Sequence, residues 1–186
     1  MTPVSVLWRR LDLPGHEAGR LDRRGDGWSL SGTAAFAHEG QPVLLAYDVA
    51  CGRDWQTRSV DVSGYVGRRG VEIAITVDSE RRWRLNGERC PPVDGCVDVD
   101  LGFSPSTNLL PIRRHALRVG ASAEVRAAWL PFPGLALEPL AQVYHREGDA
   151  AYRYESRGGA FVRVLDVDPS GFVTDYPGLW RAEALV

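Results

Sequence analysis

Apolar and polar positions alternate with a period of two along most of this chain. From Val71 to Val77 every odd position is apolar, and the even ones are Glu, Ala and Thr. Trp28, Leu30, Ala34 and Phe36 share one side of a segment whose other side carries Ser29, Ser31 and Thr33. Val43, Leu45, Tyr47 and Val49 form a third such row, and Ala123, Val125, Ala127 and Trp129 a fourth. Successive side chains of a strand point to opposite faces, so these segments predict half-buried antiparallel strands. The alanines of 122–130 also suit a helix, but the alternation and the Pro131 that follows favour a strand.

Turn residues punctuate the rows. Asn86-Gly87 follows Trp83 and Leu85 and predicts a tight hairpin, because both residues tolerate positive φ. Asp168-Pro169-Ser170-Gly171 predicts a turn between strands over 160–167 and 172–176. One segment starts like a helix. Ser104 can cap it, Pro105 suits its first position, and Leu109 and Leu110 follow. Pro111 is expected to stop or kink it after about two turns. Many short strands with one short helix predict a mainly-β barrel, sandwich or roll. No repeat or linker divides it, so the expectation is one domain over 1–186.

Composition narrows the function classes. At 186 residues, 44% hydrophobic and 25% charged, the chain falls in the globular range with enough length for a sizeable core. A formal charge of −2 gives no general attraction to nucleic acid or anionic membranes. All 22 basic residues are Arg, which pairs with carboxylates through a planar fork and tolerates burial better than Lys. The opening MTPVSVLWRR lacks the apolar run of a signal peptide, and no stretch is long enough to span a membrane, so a cytoplasmic location is expected. Cys51, Cys90 and Cys96 are odd in number and lack zinc spacing, which predicts reduced structural thiols and no metal.

Candidate chemistry gathers in DGCVDVDLGFSPSTNLLPIRR, residues 94–114. Asp98 and Asp100 alternate with Val97, Val99 and Leu101, so both carboxylates face one side of a strand. They suit acid–base work on a glycoside, or pairing with Arg113, Arg114 or Arg58 as a structural ion cluster. Arg113 and Arg114 suit the end of the helix dipole, or hold a phosphate or sugar head group. Asn108 lies between the two pairs. In Asp54-Trp-Gln-Thr-Arg58, Arg58 falls on the face of Val60 and Val62, which implies a buried partner or an interior site. Trp55 beside hydrogen-bonding residues suits either a sugar ring or plain core. The histidines stand apart, with no HExxH, and GxSxG, GxxxxGK[ST] and GxGxxG are absent. No cofactor is expected.

Nearly the whole chain, from Leu7 to Arg181, resembles the bacterial family of putative glycolipid-binding proteins, formerly a domain of unknown function. LWRRLDLPGHEAGRL, GWSLSGT, YDVACGRDWQTRSVDV, RRWRLNGE, the 94–114 segment, QVYH, YRYES and VDPSGFVTDYPGLWR carry the resemblance in order. It implies a spiral β-roll, a long antiparallel sheet wrapped around a single short central helix, whose apolar interior could hold an acyl chain. The implied function is non-enzymatic binding of a lipid or glycolipid. Trp55, Arg58, Asp98, Asp100, Asn108, Arg113, Arg114 and Tyr144 are then the candidate ligand contacts. A hydrolase using the Asp98 and Asp100 face, and a homodimerising interaction module, stand as alternatives.

Overall fold

The computed structural model describes residues 2–186. The first half of the chain is a run of strands: β1 (Val4–Arg10), β2 (Gly15–Arg24), β3 (Gly27–His38), β4 (Gln41–Cys51), β5 (Thr57–Val66), β6 (Arg69–Val77), β7 (Trp83–Leu85) and β8 (Glu88–Arg89). The chain then enters the interior, where it forms β9 (Asp98–Leu101), a 3-10 turn over Ser106–Asn108 and the helix α1 (Leu109–His115). The second half runs through β10 (Ser122–Leu130), β11 (Glu138–Arg146), β12 (Ala151–Ser156), β13 (Phe161–Val167), β14 (Val173–Tyr176) and β15 (Trp180–Leu185).

All strands join one sheet of 15, in the order β8-β7-β6-β5-β4-β3-β2-β1-β15-β14-β13-β12-β11-β10-β9. Each half is a meander, and β1 pairs with β15 to join them, Leu7 opposite Ala184 and Arg10 opposite Trp180. The pairs are antiparallel except β9 with β10, which run parallel. The sheet is therefore mixed, where a purely antiparallel one was expected. The physical reason is the intervening helix, because two parallel neighbours need a long crossover to connect them.

The sheet curls without closing into a barrel, since its edges β8 and β9 do not pair with each other. It turns far enough for the entry to β9 to meet the start of β5. There the Thr57 N–H donates to the Val97 carbonyl at 3.2 Å, and the Val99 N–H donates to Thr57 Oγ1 at 3.0 Å. Arg81 staples this seam. Its guanidinium donates to the carbonyls of Thr57 (2.7 Å), Val97 (2.6 Å) and Cys96 (3.0 and 3.1 Å).

The predicted rows all face inward. Val71, Ile73 and Ile75, and likewise Val43, Leu45, Tyr47 and Val49, are buried. Pro111 does not stop the helix, which continues to His115. It is the third residue of α1, where a backbone N–H would have no acceptor within the helix anyway. Ala116 ends the helix in a left-handed conformation (φ 44°), its N–H donating to the Ile112 carbonyl at 3.1 Å. Ser104 does serve the start of this segment, accepting the Ser106 N–H at 3.1 Å. Leu109, Leu110, Pro111 and Ile112 are all buried, as a helix wrapped by a sheet requires. Around them Trp8, Phe103, Phe172, Leu21, Leu30, Leu45 and Leu130 are less than 2% exposed. Side chains thus fill the space around α1.

Candidate functional site

The residues singled out by sequence separate into four places. Asp98 is 1% exposed and is held by the fork of Arg114, with Nη2 at 2.5 Å from Oδ2 and Nε at 3.2 Å from Oδ1. This is the expected Asp–Arg pair, and Arg114 alone of the three candidates makes it. Arg113 points elsewhere. Its guanidinium lies 5.0 Å from the Trp55 ring centroid and donates to the Pro169 carbonyl at 3.4 Å. Trp55 is buried at a positive φ of 66° and stacks on Trp28, with centroids 4.5 Å apart and planes 11° off parallel.

Arg58 does not lie on the apolar face. Ser59 pairs with Ala50 and Thr57 with Cys51, so Arg58 is the extra residue of a β-bulge. A bulge reverses the alternation locally and turns the side chain outward. Arg58 is accordingly exposed and pairs with Asp26 at 3.2 Å.

Asp100, Asn108 and Tyr144 belong together. Asp100 and Asn108 line a cavity of about 230 Å³ between the central segment and the second meander. Tyr144 stands behind it, donating its hydroxyl to Asn108 Oδ1 at 2.9 Å, while Asn108 Nδ2 donates to the Pro105 carbonyl at 3.1 Å. Gln142 Nε2 donates to Asp100 Oδ2 at 2.5 Å. Burial pushes the Asp100 carboxyl up to about 6, against the Gln142 hydrogen bond and with the Asp98 charge adding to the rise.

The remaining lining is aromatic and polar. Trp129, Tyr154, Phe161, Tyr176 and Trp180 contribute rings, and Ser104, Ser156 and the exposed Arg157 contribute polar groups. Tyr154, Phe161 and Tyr176 pack on one another with centroids 6.0 to 6.3 Å apart. The Arg157 guanidinium rests 5.4 Å from the Trp129 ring. Aromatic faces beside a carboxylate, an amide and hydroxyls match the amphipathic surface of a sugar ring. Cavities that enclose drug-sized ligands run to roughly 300–1,000 Å³. This one has room for a small ring system and none for a folded acyl chain. A trough of about 520 Å³ crosses β1–β4 and β15, but it is mainly apolar, and its Arg20 is tied to Asp22 at 2.6 Å.

The cavity's rings, Gln142 and Arg157 were not among the candidates from sequence, and neither was one buried carboxylate. Glu17 projects inward from β2 between Trp8 and Ala34 and is fully buried. Tyr47 and Ser104 each donate a hydroxyl to its Oε1 at 2.6 Å, and Ser106 Oγ lies 2.7 Å from Ser104 Oγ. Burial pushes the Glu17 carboxyl up to about 7, with the Ser104 and Tyr47 hydrogen bonds and the Arg10 charge pulling the other way. A signal was present. Gly15, Glu17, Gly19 and Leu21 share one parity, which sets a carboxylate in an inward row.

The family described as Putative glycolipid-binding matches residues 5–182. A DUF1089 family protein from Pseudomonas aeruginosa, known from a crystal structure at 1.80 Å resolution, is 34% identical. It superimposes with a TM-score of 0.79 over 89% of this chain and 90% of that one. A β-barrel-like protein of the domain of unknown function DUF1849 from Brucella abortus matches with a TM-score of 0.54 over 98% of this chain and 96% of that one. At 8% identity, that likeness is one of fold alone. Among curated protein sequences none matches this chain.

Proposed function

The chain belongs to the putative glycolipid-binding family, and on that premise we propose that it holds a glycolipid without altering it chemically. The sugar head group occupies the cavity of Asp100, Asn108, Trp129, Tyr154 and Arg157, and the acyl part leaves past Leu140, Phe161 and Leu179. The observation that carries this reading is the cavity's lining, where five aromatic rings meet a carboxylate, an amide and an arginine. Sugars are held by that combination, with rings on their C–H faces and polar groups on their hydroxyls. A glycosidase needs two carboxyls about 5–10 Å apart on the substrate. Asp100 lines the cavity, whereas Asp98 is sealed at 1% exposure and engaged by Arg114. Binding without hydrolysis therefore fits the geometry better.

A thermal-shift screen of glycolipids, phospholipids and fatty acids tests the reading. A ligand bound only by the folded state adds about 2.7 kcal/mol of stability at a hundredfold excess over Kd. At least one glycolipid is expected to raise the melting temperature saturably, and Trp129→Ala and Asp100→Asn are expected to weaken it roughly tenfold or more. Mass spectrometry is expected to recover the ligand intact. Cleavage abolished by Asp100→Asn would put the hydrolase in its place. A flat screen would sink the binding reading and favour the interaction module built on the edge strands.

A further inference from the structure

Glu17 Oε2 and Arg10 Nη1 are buried and have no hydrogen-bond partner within the protein. Both belong to side chains that touch the back of the cavity wall. Ser104 lines the cavity and donates to Glu17 at 2.6 Å. Trp180 also lines it, and the Arg10 guanidinium lies 5.1 Å from the Trp180 ring. Arg10 is fixed on its other sides. It rests 4.4 Å from the Phe36 ring, and its Nε and Nη2 engage the Asp12 carboxylate at 2.8 and 3.1 Å, leaving Nη1 free. Its charge reaches Glu17, since it helps hold that carboxyl down.

Leaving such groups unpaired in a core costs about 1–3 kcal/mol each, and more for charged ones. A fold that keeps both has something to satisfy them. The two atoms ask for opposite things: Nη1 offers a proton, and a carboxylate Oε2 needs one. A phosphodiester or an ionised carboxylate accepts from Nη1 but brings no proton for Oε2. An ammonium donates to Oε2 but accepts nothing. A hydroxyl does both, whether it belongs to a sugar or to a water that the sugar displaces.

We propose that the cavity continues behind Ser104 and Trp180 into a hydroxyl-selective subsite, where one sugar hydroxyl of the bound head group is held between Glu17 Oε2 and Arg10 Nη1. The proposal rests on the glycolipid reading above and sharpens it, making Glu17 and Arg10 the groups that select a sugar over other polar heads. A hydroxyl that donates to Oε2 favours the carboxylate over the acid, so its arrival pulls the Glu17 midpoint down. The polar groups facing Glu17 are Arg10 on β1, Tyr47 on β4, and Ser104 and Ser106 on the central segment.

The test follows the Glu17 side-chain carboxyl by carbon-13 NMR in the full-length protein. It is titrated with pH alone, with octyl β-D-glucoside, and with octyl hexaethylene glycol ether, each below its micelle concentration. The two detergents share a chain, but the ether head accepts along its length and donates only at its end. Octyl glucoside is expected to bind saturably and to lower the Glu17 midpoint by roughly half a unit or more. The ether is expected to leave it in place. Glu17→Gln, a near-isosteric change, is expected to weaken octyl glucoside about tenfold. Should that variant not fold, the wild-type titration decides alone. Octyl glucoside that binds without lowering the midpoint overturns the subsite and leaves the cavity reading standing. No binding of octyl glucoside, with a flat glycolipid screen, overturns both.

Discussion

Adjacent arginines at the end of α1 do different work, because neighbours on a helix point about 100° apart. Arg114 neutralises the buried Asp98, while Arg113 lies on the Trp55 ring and is partly exposed. Removing one member of a buried ion pair strands the other, at about 3–5 kcal/mol. Arg114→Ala is thus expected to lower unfolding stability by roughly 3 kcal/mol in urea titrations. Arg113→Ala is expected to lose about 1 kcal/mol or less, the scale of a cation–π contact. An equal loss in both would remove the distinction. The sequence made a carboxylate–arginine pair legible but not its partner, since the residue count from Asp98 does not say how α1 is rotated.

Glu17 makes the fold sensitive to pH in an unusual sense. Its carboxyl is raised from 4.5 to about 7, so the folded state binds the proton more tightly than the unfolded chain does. That contribution is fully present below about pH 4.5 and is lost as pH rises through 7. At 1.36 kcal/mol per unit it amounts to the order of 3 kcal/mol. Asp100 adds in the same direction over a lower window, from 3.8 to about 6. Denaturant melts are expected to show higher stability at pH 5 than at pH 8, and Glu17→Gln is expected to flatten most of the difference. A wild-type curve that rises over this range would refute it.

Between elements, the seam matters more than the strands themselves. One guanidinium on a residue with φ of 58° serves three carbonyls where β5 meets the entry to β9. An ammonium cannot span that fan, so Arg81→Lys is expected to cost about 2–4 kcal/mol. Hydrogen exchange gives the sharper reading. The Thr57 and Val99 amides, which donate across the seam, are expected to lose protection while those of β3 and β4 keep it. Uniform loss would mean that Arg81 supports the whole sheet.

The strands were legible because period-two alternation reports a face directly, as Val71–Val77 shows. Pairing across the roll was not. Nothing in Asp98–Leu101 says that its neighbour is β10, or that it runs parallel. The bulge that turns Arg58 outward also left no local mark, for it depends on register with Cys51. The cavity's rings carry no mark of it in the sequence, because an aromatic row reads the same whether it faces packed leucines or a gap.

At the scale of the molecule, the roll and its central helix agree with what the resemblance implied. Leu109, Leu110, Phe103 and Leu130 fill the middle, and open space survives where the central segment meets the second meander. Polar groups explain the placement. Asp100, Asn108 and Ser104 cannot pack against leucines without loss, so the core stops short of them.

The pairing of β1 with β15 has a consequence for how the molecule is made. A chain leaves the ribosome from its N-terminus at about 5–20 residues per second. The first meander can assemble as it emerges, since each strand of it pairs with its neighbour in sequence. Its β1 edge must wait for β15, the last strand of the sheet, an interval of roughly 10–30 s at that speed. Through that time the N–H and C=O groups along one side of Val4–Arg10 stand open to any passing strand. The nascent chain is then most exposed to capture by another copy of itself, and the emergence of Trp180–Leu185 ends the danger.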